Sequence, residues 1–260
     1  MLGQEEILSQ EKGMASSMSE ISIILPTYNE RGNIKKLIGE IFKNLQQDIE
    51  IMVVDDNSPD RTWEVVKEIS QRDRRVKLLR RMGRRGLTTA ISEGISLAEG
   101  EVVLWMDCDF SMPPQVLPQL VKEIGPFDIA LGSRYVEGGK DMRDSPFRVL
   151  ISRIFDELAS TFLKVPVKDL TSGFVAAKRE VFETVSLSGD YGDYCIDFLV
   201  QALSKGFKVK EVPYTCVSRF KGETKTNPHI FGLIRHGVIY IWTVLKLRFS
   251  GGYLSKVEPI

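Results

Sequence analysis

Apolar residues in the first hundred positions fall into short unbroken runs separated by stretches of helical spacing. Residues 21–25 (Ile-Ser-Ile-Ile-Leu) form the first run, stopped by Pro26. Residues 49–54 form a second, stopped by Asp55-Asp56-Asn57-Ser58-Pro59; residues 76–79 form a third, and 101–106 a fourth that runs into Asp107-Cys108-Asp109. Between them, Ile34, Leu37, Ile38, Ile41 and Leu45 recur at helical spacing after Asn29 or Glu30, Trp63, Val65, Val66 and Ile69 do the same, and 86–98 reads as a third helix. Strands that are apolar at consecutive positions are buried on both faces, which predicts a mostly parallel sheet. Their alternation with helices predicts a doubly wound α/β domain.

The second half is less regular. Residues 128–132 read as a strand, 133–145 as a loop rich in glycine and charge, and 147–162 as an amphipathic helix. Residues 168–177 and 208–217 read as strands on either side of a helix at 194–204. Residues 1–20, polar and rich in Ser, Glu and Gln without the apolar run of a signal peptide, read as a disordered leader. The apolar stretch 237–247 is shorter than the ~18 residues of a spanning helix. Its flanks, Arg235, His236, Lys246 and Arg248, suit an amphipathic helix lying on a membrane surface; a core or dimer-packing helix fits equally.

Composition narrows the class. The 260 residues suffice for one large α/β domain or two small ones. The formal net charge is zero, so no global field favours nucleic acid. Cys108, Cys195 and Cys216 are too few and too scattered for a disulfide framework or a zinc site, which fits a reducing compartment.

In a doubly wound sheet, ligands bind outside the carboxyl ends of the strands. Three polar clusters sit there: Pro26-Thr27-Tyr28-Asn29-Glu30, Asp55-Asp56-Asn57-Ser58 and Asp107-Cys108-Asp109. Asp107 and Asp109, two apart on extended backbone, point the same way. Paired carboxylates of this kind suit Mg²⁺ or Mn²⁺ bridged to substrate phosphates, and a plain strand-end turn is the alternative. Pro113-Pro114 stiffens the exit. Asp55 and Asp56 can accept from a ribose or base, or cap the next helix. A receiver-type phosphorelay domain also carries such a pair, but the long second half and the adjacent Asp109 argue against it. The basic run from Arg72 through Arg74, Arg75, Lys77, Arg80, Arg81 and Arg84 to Arg85 reads as a solvated face or as an attractor of lipid headgroups or nucleotide.

These clusters, together with Gly132-Ser133-Arg134-Tyr135, Arg148-x-x-x-Ser152-Arg153, Asp169-Leu170-Thr171-Ser172-Gly173-Phe174 and Arg219-Phe220-Lys221-Gly222-Glu223-Thr224-Lys225, resemble the family 2 glycosyltransferases of the GT-A fold. Within them the ordered set, over residues 21–226, is similar to the polyprenyl-phosphate hexosyltransferases, above all the dolichyl-phosphate mannose synthases. The resemblance implies an α/β GT-A domain at 21–226; the family varies beyond it, and residues 227–260 are left as an amphipathic tail that lies on a membrane surface or packs as a core or dimer helix. It implies a donor site of Pro26, Tyr28, Glu30, Val54, Asp56, Asp107, Cys108, Asp109, Arg134, Arg219 and Lys225, with catalysis carried by Asp107, Asp109 and Arg134. Asp107, Asp109 and Ser111 would hold Mg²⁺ or Mn²⁺, although some relatives place Gln at the position of Ser111. Arg148 and Ser152 would hold the acceptor phosphate. Val175 and Asp197 depart from the Arg and Glu common in relatives.

The implied reaction is inverting transfer of a hexose, mannose from GDP-mannose, to a polyprenyl or dolichyl phosphate. A phosphate monoester with a second pKa near ~6 is already a nucleophile at neutral pH, so positioning replaces a strong base. A UDP-sugar donor, or a catalytically silent nucleotide- or membrane-binding scaffold, fits the same motifs less fully. The expected setting is the cytoplasmic face of a membrane, as a peripheral enzyme or one anchored by a membrane partner, with no nucleic acid.

Overall fold

A computed structural model describes residues 20–189, 192–221 and 230–249, with side chains in the last segment described at 235 and from 237 onward. The leader, Lys225 and the end of the tail lie outside the described residues.

The first half follows the hydrophobic pattern: β1 (Ile21–Thr27), α1 (Ile34–Asn44), β2 (Ile49–Asp55), α2 (Thr62–Ser70), β3 (Val76–Arg80), α3 (Leu87–Leu97) and β4 (Val102–Trp105). A 3₁₀ turn at Pro114–Val116 leads into α4 (Leu117–Glu123), then β5 (Ile129–Ser133), β6 (Lys140–Met142) and α5 (Pro146–Leu163). The chain continues through β7 (Val175–Lys178), α6 (Val181–Thr184), α7 (Asp193–Ser204), β8 (Val209–Pro213), β9 (Thr215–Val217) and α8 (Ile230–Phe249).

Seven strands form one sheet in the order β3-β2-β1-β4-β7-β5-β8. All neighbours are parallel except β7, which is antiparallel to β4 and β5. Alternate residues feed two cores. Ile24, Met52, Val54, Val103 and Trp105 pack on one face with α3 and α7; Ile23, Leu25, Ile51, Val53 and Leu104 pack on the other with α1, α2 and α4. Complete burial of such aliphatic side chains is worth roughly 1.5–3 kcal/mol each. Trp105 meets the stacked pair Phe182 and Phe198 edge-on, and its indole N–H donates to the Tyr194 hydroxyl at 3.1 Å.

Three departures from the sequence pattern shape the site. Strand β1 continues through Pro26, which would be out of place in the middle of a ladder. The β4 pairing ends at Ile24, so the missing N–H falls beyond that ladder. The strand expected at 168–177 is confined to Val175–Lys178. Residues 169–172 are instead drawn into side-chain bonds: Asp169 and Thr171 meet Arg134, and the Thr171 N–H donates to Asp156. The strand expected at 208–217 breaks at Tyr214, whose N–H donates to Ser133 O while its carbonyl accepts from Lys140 N. The chain there leaves the main sheet for a small parallel pair, β6 with β9, built inside the expected 133–145 loop.

Gly100 lies against the β1 backbone: a Cβ there would stand 2.6 Å from Ser22 N and 2.7 Å from Ile21 C. Backbone cannot yield as a side chain can, so Gly100→Ala is expected to destabilise the fold by about 1–3 kcal/mol. A lowered urea midpoint at unchanged slope would show this.

Candidate active site

Strand β1 lies between β2 and β4, so the loops after all three open at one edge of the sheet, where the chain order reverses. Because β7 enters antiparallel, residues 169–174 reach that same edge, as does Arg134 after β5. Three groups of side chains line it.

The first is a corner between the loops after β1, β2 and β3. The buried Asp55 carboxylate accepts from Thr27 Oγ1 at 2.8 Å, Ser58 N at 2.8 Å and Ser58 Oγ at 2.6 Å, and Ser58 Oγ accepts from Asn29 N at 3.0 Å. Asp55 therefore ties the first two loops together. Asp56 accepts from Arg81 Nε at 2.6 Å and from Gly86 N at 2.8 Å. Arg81 is itself buried and also reaches Thr89, Glu93 and the Gly86 carbonyl. The Arg85 guanidinium lies 3.6 Å over the Tyr28 ring. Val54, expected at the donor, is fully buried with its backbone laddered between β1 and β3 and its carbonyl 3.4 Å from Thr27 Oγ1, so it backs the corner and does not face a ligand.

The second is the acidic tip. Asp109 accepts from Ser111 N at 3.0 Å and pairs with Arg219 Nη2 at 2.9 Å. Arg219 Nη1 lies 3.5 Å from Glu30, whose other oxygen accepts from Asn33 Nδ2 at 2.7 Å. Cys108 Sγ donates to Pro26 O at 3.5 Å. Burial pushes the Asp107 carboxyl up to about 7, and the like charges of Asp109 and Glu30 push the same way against the opposing pull of Arg219. Among the described residues no group of three or more His, Cys, Asp or Glu side chains is arranged to cage a metal.

The third is a basic cavity beside α5. Arg134 donates from its backbone and Nε to one Asp169 oxygen, both at 2.8 Å, and from Nη2 to the other at 2.5 Å and to Thr171 Oγ1 at 2.9 Å. Thr171 donates its N–H and hydroxyl to the fully buried Asp156, at 3.1 and 3.0 Å. Burial and the neighbouring Asp169 push the Asp156 carboxyl up to about 8. Ser145 caps α5 by accepting from Arg148 N at 3.4 Å, and Ser152, one turn later, meets the Tyr135 phenol. Arg134, Tyr135, Lys140, Asp141, Val149 and Arg153 line a cavity of about 440 Å³ here.

The sequence profile of glycosyl transferase family 2 matches residues 22–186. The chain belongs to that family. It is 41% identical over 223 residues to a dolichol-phosphate mannosyltransferase of Pyrococcus furiosus, across 84% of this chain and 62% of the relative, so it spans less than two thirds of that protein's length. It is 38% identical over 214 residues to a polyprenol monophosphomannose synthase of Mycolicibacterium smegmatis, across 79% of this chain and 80% of the relative. Among solved structures it resembles glucosyl-3-phosphoglycerate synthase of Mycobacterium tuberculosis in complex with Mn²⁺, UDP and glucosyl-3-phosphoglycerate: TM-score 0.64, 19% identity, 88% of this chain and 80% of that one. The same enzyme in complex with UDP gives TM-score 0.66 at 20% identity over the same shares. The fold is thus the GT-A α/β architecture.

Within this family 2 fold, the expected donor residues Pro26, Tyr28, Glu30, Asp56, Asp107, Cys108, Asp109 and Arg219 gather at one sheet edge. Arg134, expected at donor phosphates, has its forked face on Asp169. Val175 is a buried strand residue opposite Trp105, and Asp197 accepts from Ser188 and Gln201. The basic run dissolves into separate partnerships, such as Arg75 with Asp73, Lys77 with Glu50 and Arg84 with Glu93. Arg81 and Asp156 were not singled out in the sequence. The signal for Asp156 was a lone acid in register with Ala159 and Leu163 on the buried face of α5; nothing local distinguishes Arg81 from its neighbours.

The Asp107 carboxyl is expected to titrate near pH 7 by carbon NMR, neutral below and ionised above. Asp109→Asn removes a like charge and lowers that midpoint; Arg219→Ala removes the opposing charge and raises it.

Proposed function

We propose that this chain transfers mannose from GDP-mannose to a polyprenyl phosphate such as dolichyl phosphate, with inversion. One observation carries the reading: a single sheet edge presents an acidic tip suited to a cation-bound diphosphate and, separately, a basic cavity that opens beside a helix with exposed apolar residues. The names borne by the archaeal and mycobacterial relatives support it.

Tyr28 and Asp56 border the nucleoside, with the buried Val54 behind them, and Pro26 and Cys108 line the route to the diphosphate. Asp107 and Asp109, with Ser111 in the same turn, hold Mg²⁺ or Mn²⁺; when bound, the ion neutralises the departing diphosphate. Arg219 is close enough to exchange a carboxylate for a phosphate oxygen, and Lys225 follows it in sequence. Arg148 and Ser152 orient the acceptor phosphate at the cavity. Arg134 lines its wall, braced by Asp169. The dianionic acceptor attacks the anomeric carbon and the nucleoside diphosphate leaves, so positioning supplies most of the rate. This agrees with a site built from acids and arginines.

Two helices support a peripheral place on the cytoplasmic face of a membrane, with or without an anchoring partner. Helix α8 packs on α5 through Phe155–Tyr240 and Phe162–Phe249, at 5.5 and 6.2 Å between ring centroids. Leu150, Ile154 and Leu158 of α5, and Val238, Ile241 and Trp242 of α8, remain exposed. No helix among the described residues is long and apolar enough to cross a bilayer. Apolar side chains beside Arg235, Lys246 and Arg248 suit insertion into an anionic surface.

Purified protein with Mg²⁺, a polyprenyl phosphate and a panel of labelled GDP- and UDP-sugars is expected to form lipid-linked mannose from GDP-mannose. Absence of lipid-linked product from every donor would reject the enzyme, and product from a UDP-sugar alone would reject the donor. Asp109→Ala should cut kcat by at least ~100-fold, the scale of losing a group that stabilises developing charge. Arg148→Ala should instead raise KM for the lipid phosphate and leave KM for the donor unchanged.

A further inference from the structure

Residues 217–221 fold back onto the acidic tip although they follow it by more than a hundred positions. Val217 N donates to Ser111 O at 3.3 Å and Phe220 N to Asp109 O at 2.8 Å, so this segment docks on the backbone of the tip itself. Asn33 Nδ2, at the start of α1, donates to Lys221 O at 3.2 Å. Side chains repeat the pattern. The rings of Phe110 and Phe220 meet edge-on at 5.6 Å, and Lys36 of α1 lies over both, 4.1 Å from Phe220 and 5.3 Å from Phe110. Phe110 reaches that position from a left-handed backbone, φ 66°, which a bulky residue rarely adopts. Strain of this kind persists only where the surroundings enforce it, and it concentrates at functional sites.

Arg219 sits between Phe220 and the carboxylates. It spans Asp109 and Glu30, and its buried Nη1 has no hydrogen-bond partner among the described residues. A buried guanidinium nitrogen with a spare donor suits a phosphate oxygen.

We propose that Phe110, Phe220 and Lys36 form an aromatic clasp that positions Arg219 over the Asp107–Asp109 tip, so that the segment binding donor phosphates and the turn binding the cation act as one unit. The three are positioning residues, since they act through Arg219. The inference rests on the donor site proposed above, and deepens it: the diphosphate is held by a segment that stays attached to the tip while Arg219 exchanges its carboxylate partner for phosphate. Phe220 is half exposed, so its truncation opens no core cavity.

Calorimetric titration of the full chain with GDP or UDP in the presence of Mn²⁺ tests the clasp. Edge-on aromatic pairs contribute two- to ten-fold in affinity, by order of magnitude. Phe220→Ala and Phe110→Ala are each expected to weaken nucleoside diphosphate binding by about that factor, the double variant by no more than the stronger single, and Phe220→Tyr to restore it. Donor KM should rise while acceptor KM stays fixed. Hydrogen exchange at residues 217–221 should quicken in Phe110→Ala without any nucleotide present. Unchanged exchange there, wild-type affinity in Phe220→Ala, or multiplicative losses in the double variant would each overturn the clasp. A wild-type chain that binds neither nucleotide, with exchange still responding to Phe110→Ala, would overturn the donor site and leave the clasp standing as a structural contact.

Discussion

Three acidic clusters at the carboxyl edge of the sheet are each compensated by an arginine brought from a different part of the chain, whereas Asp55 is satisfied by Thr27 and Ser58. Asp56, after β2, is held by Arg81 from the end of β3. Asp109, after β4, is paired with Arg219 from beyond β9, and Glu30 shares the same guanidinium. Asp169, before β7, receives the fork of Arg134 from the end of β5, with Asp141 and Asp156 nearby. Carboxylates collected in a low-dielectric rim cost several kcal/mol each unless they find such partners. The partners fix where each loop lies, and hence where a nucleotide, a cation and a phosphate can sit.

The compensation is incomplete in one place. Asp107 takes charge repulsion from two neighbours and draws on a single arginine that both of those neighbours also use, so its carboxyl stays well above the usual carboxylate range. The tip therefore concentrates negative charge beside the left-handed Phe110 turn. The Arg134 cluster has the opposite character. Its guanidinium is buried and forked onto Asp169, which makes it a rigid wall for the cavity beside α5.

Much of this architecture was readable along the chain. Unbroken apolar runs mark strands covered on both faces, and the structure buries all seven residues of β2. The acids and the family motifs pointed to one edge because strand ends in a doubly wound sheet all open there. The second half was harder. Residues 168–174 have strand-like composition, yet the Asp169 carboxylate and Thr171 spend their hydrogen bonds on Arg134 and Asp156, contacts with partners 15 to 37 positions away. Likewise, 208–217 has the pattern of one strand, and only the meeting of Tyr214 with Ser133 and Lys140 divides it between two sheets.

Periodicity, strand-end chemistry and ordered motifs therefore determined the layer architecture, the edge that carries the site and the family. Those signals are local, since each depends on residues within a turn or a strand of one another. Tertiary structure alone decided which arginine serves which carboxylate, that Arg81 is buried while Arg84 is exposed, and that Phe220 returns to Phe110. Such pairings join residues far apart in sequence, and their energies exist only once the backbone has brought the partners within reach.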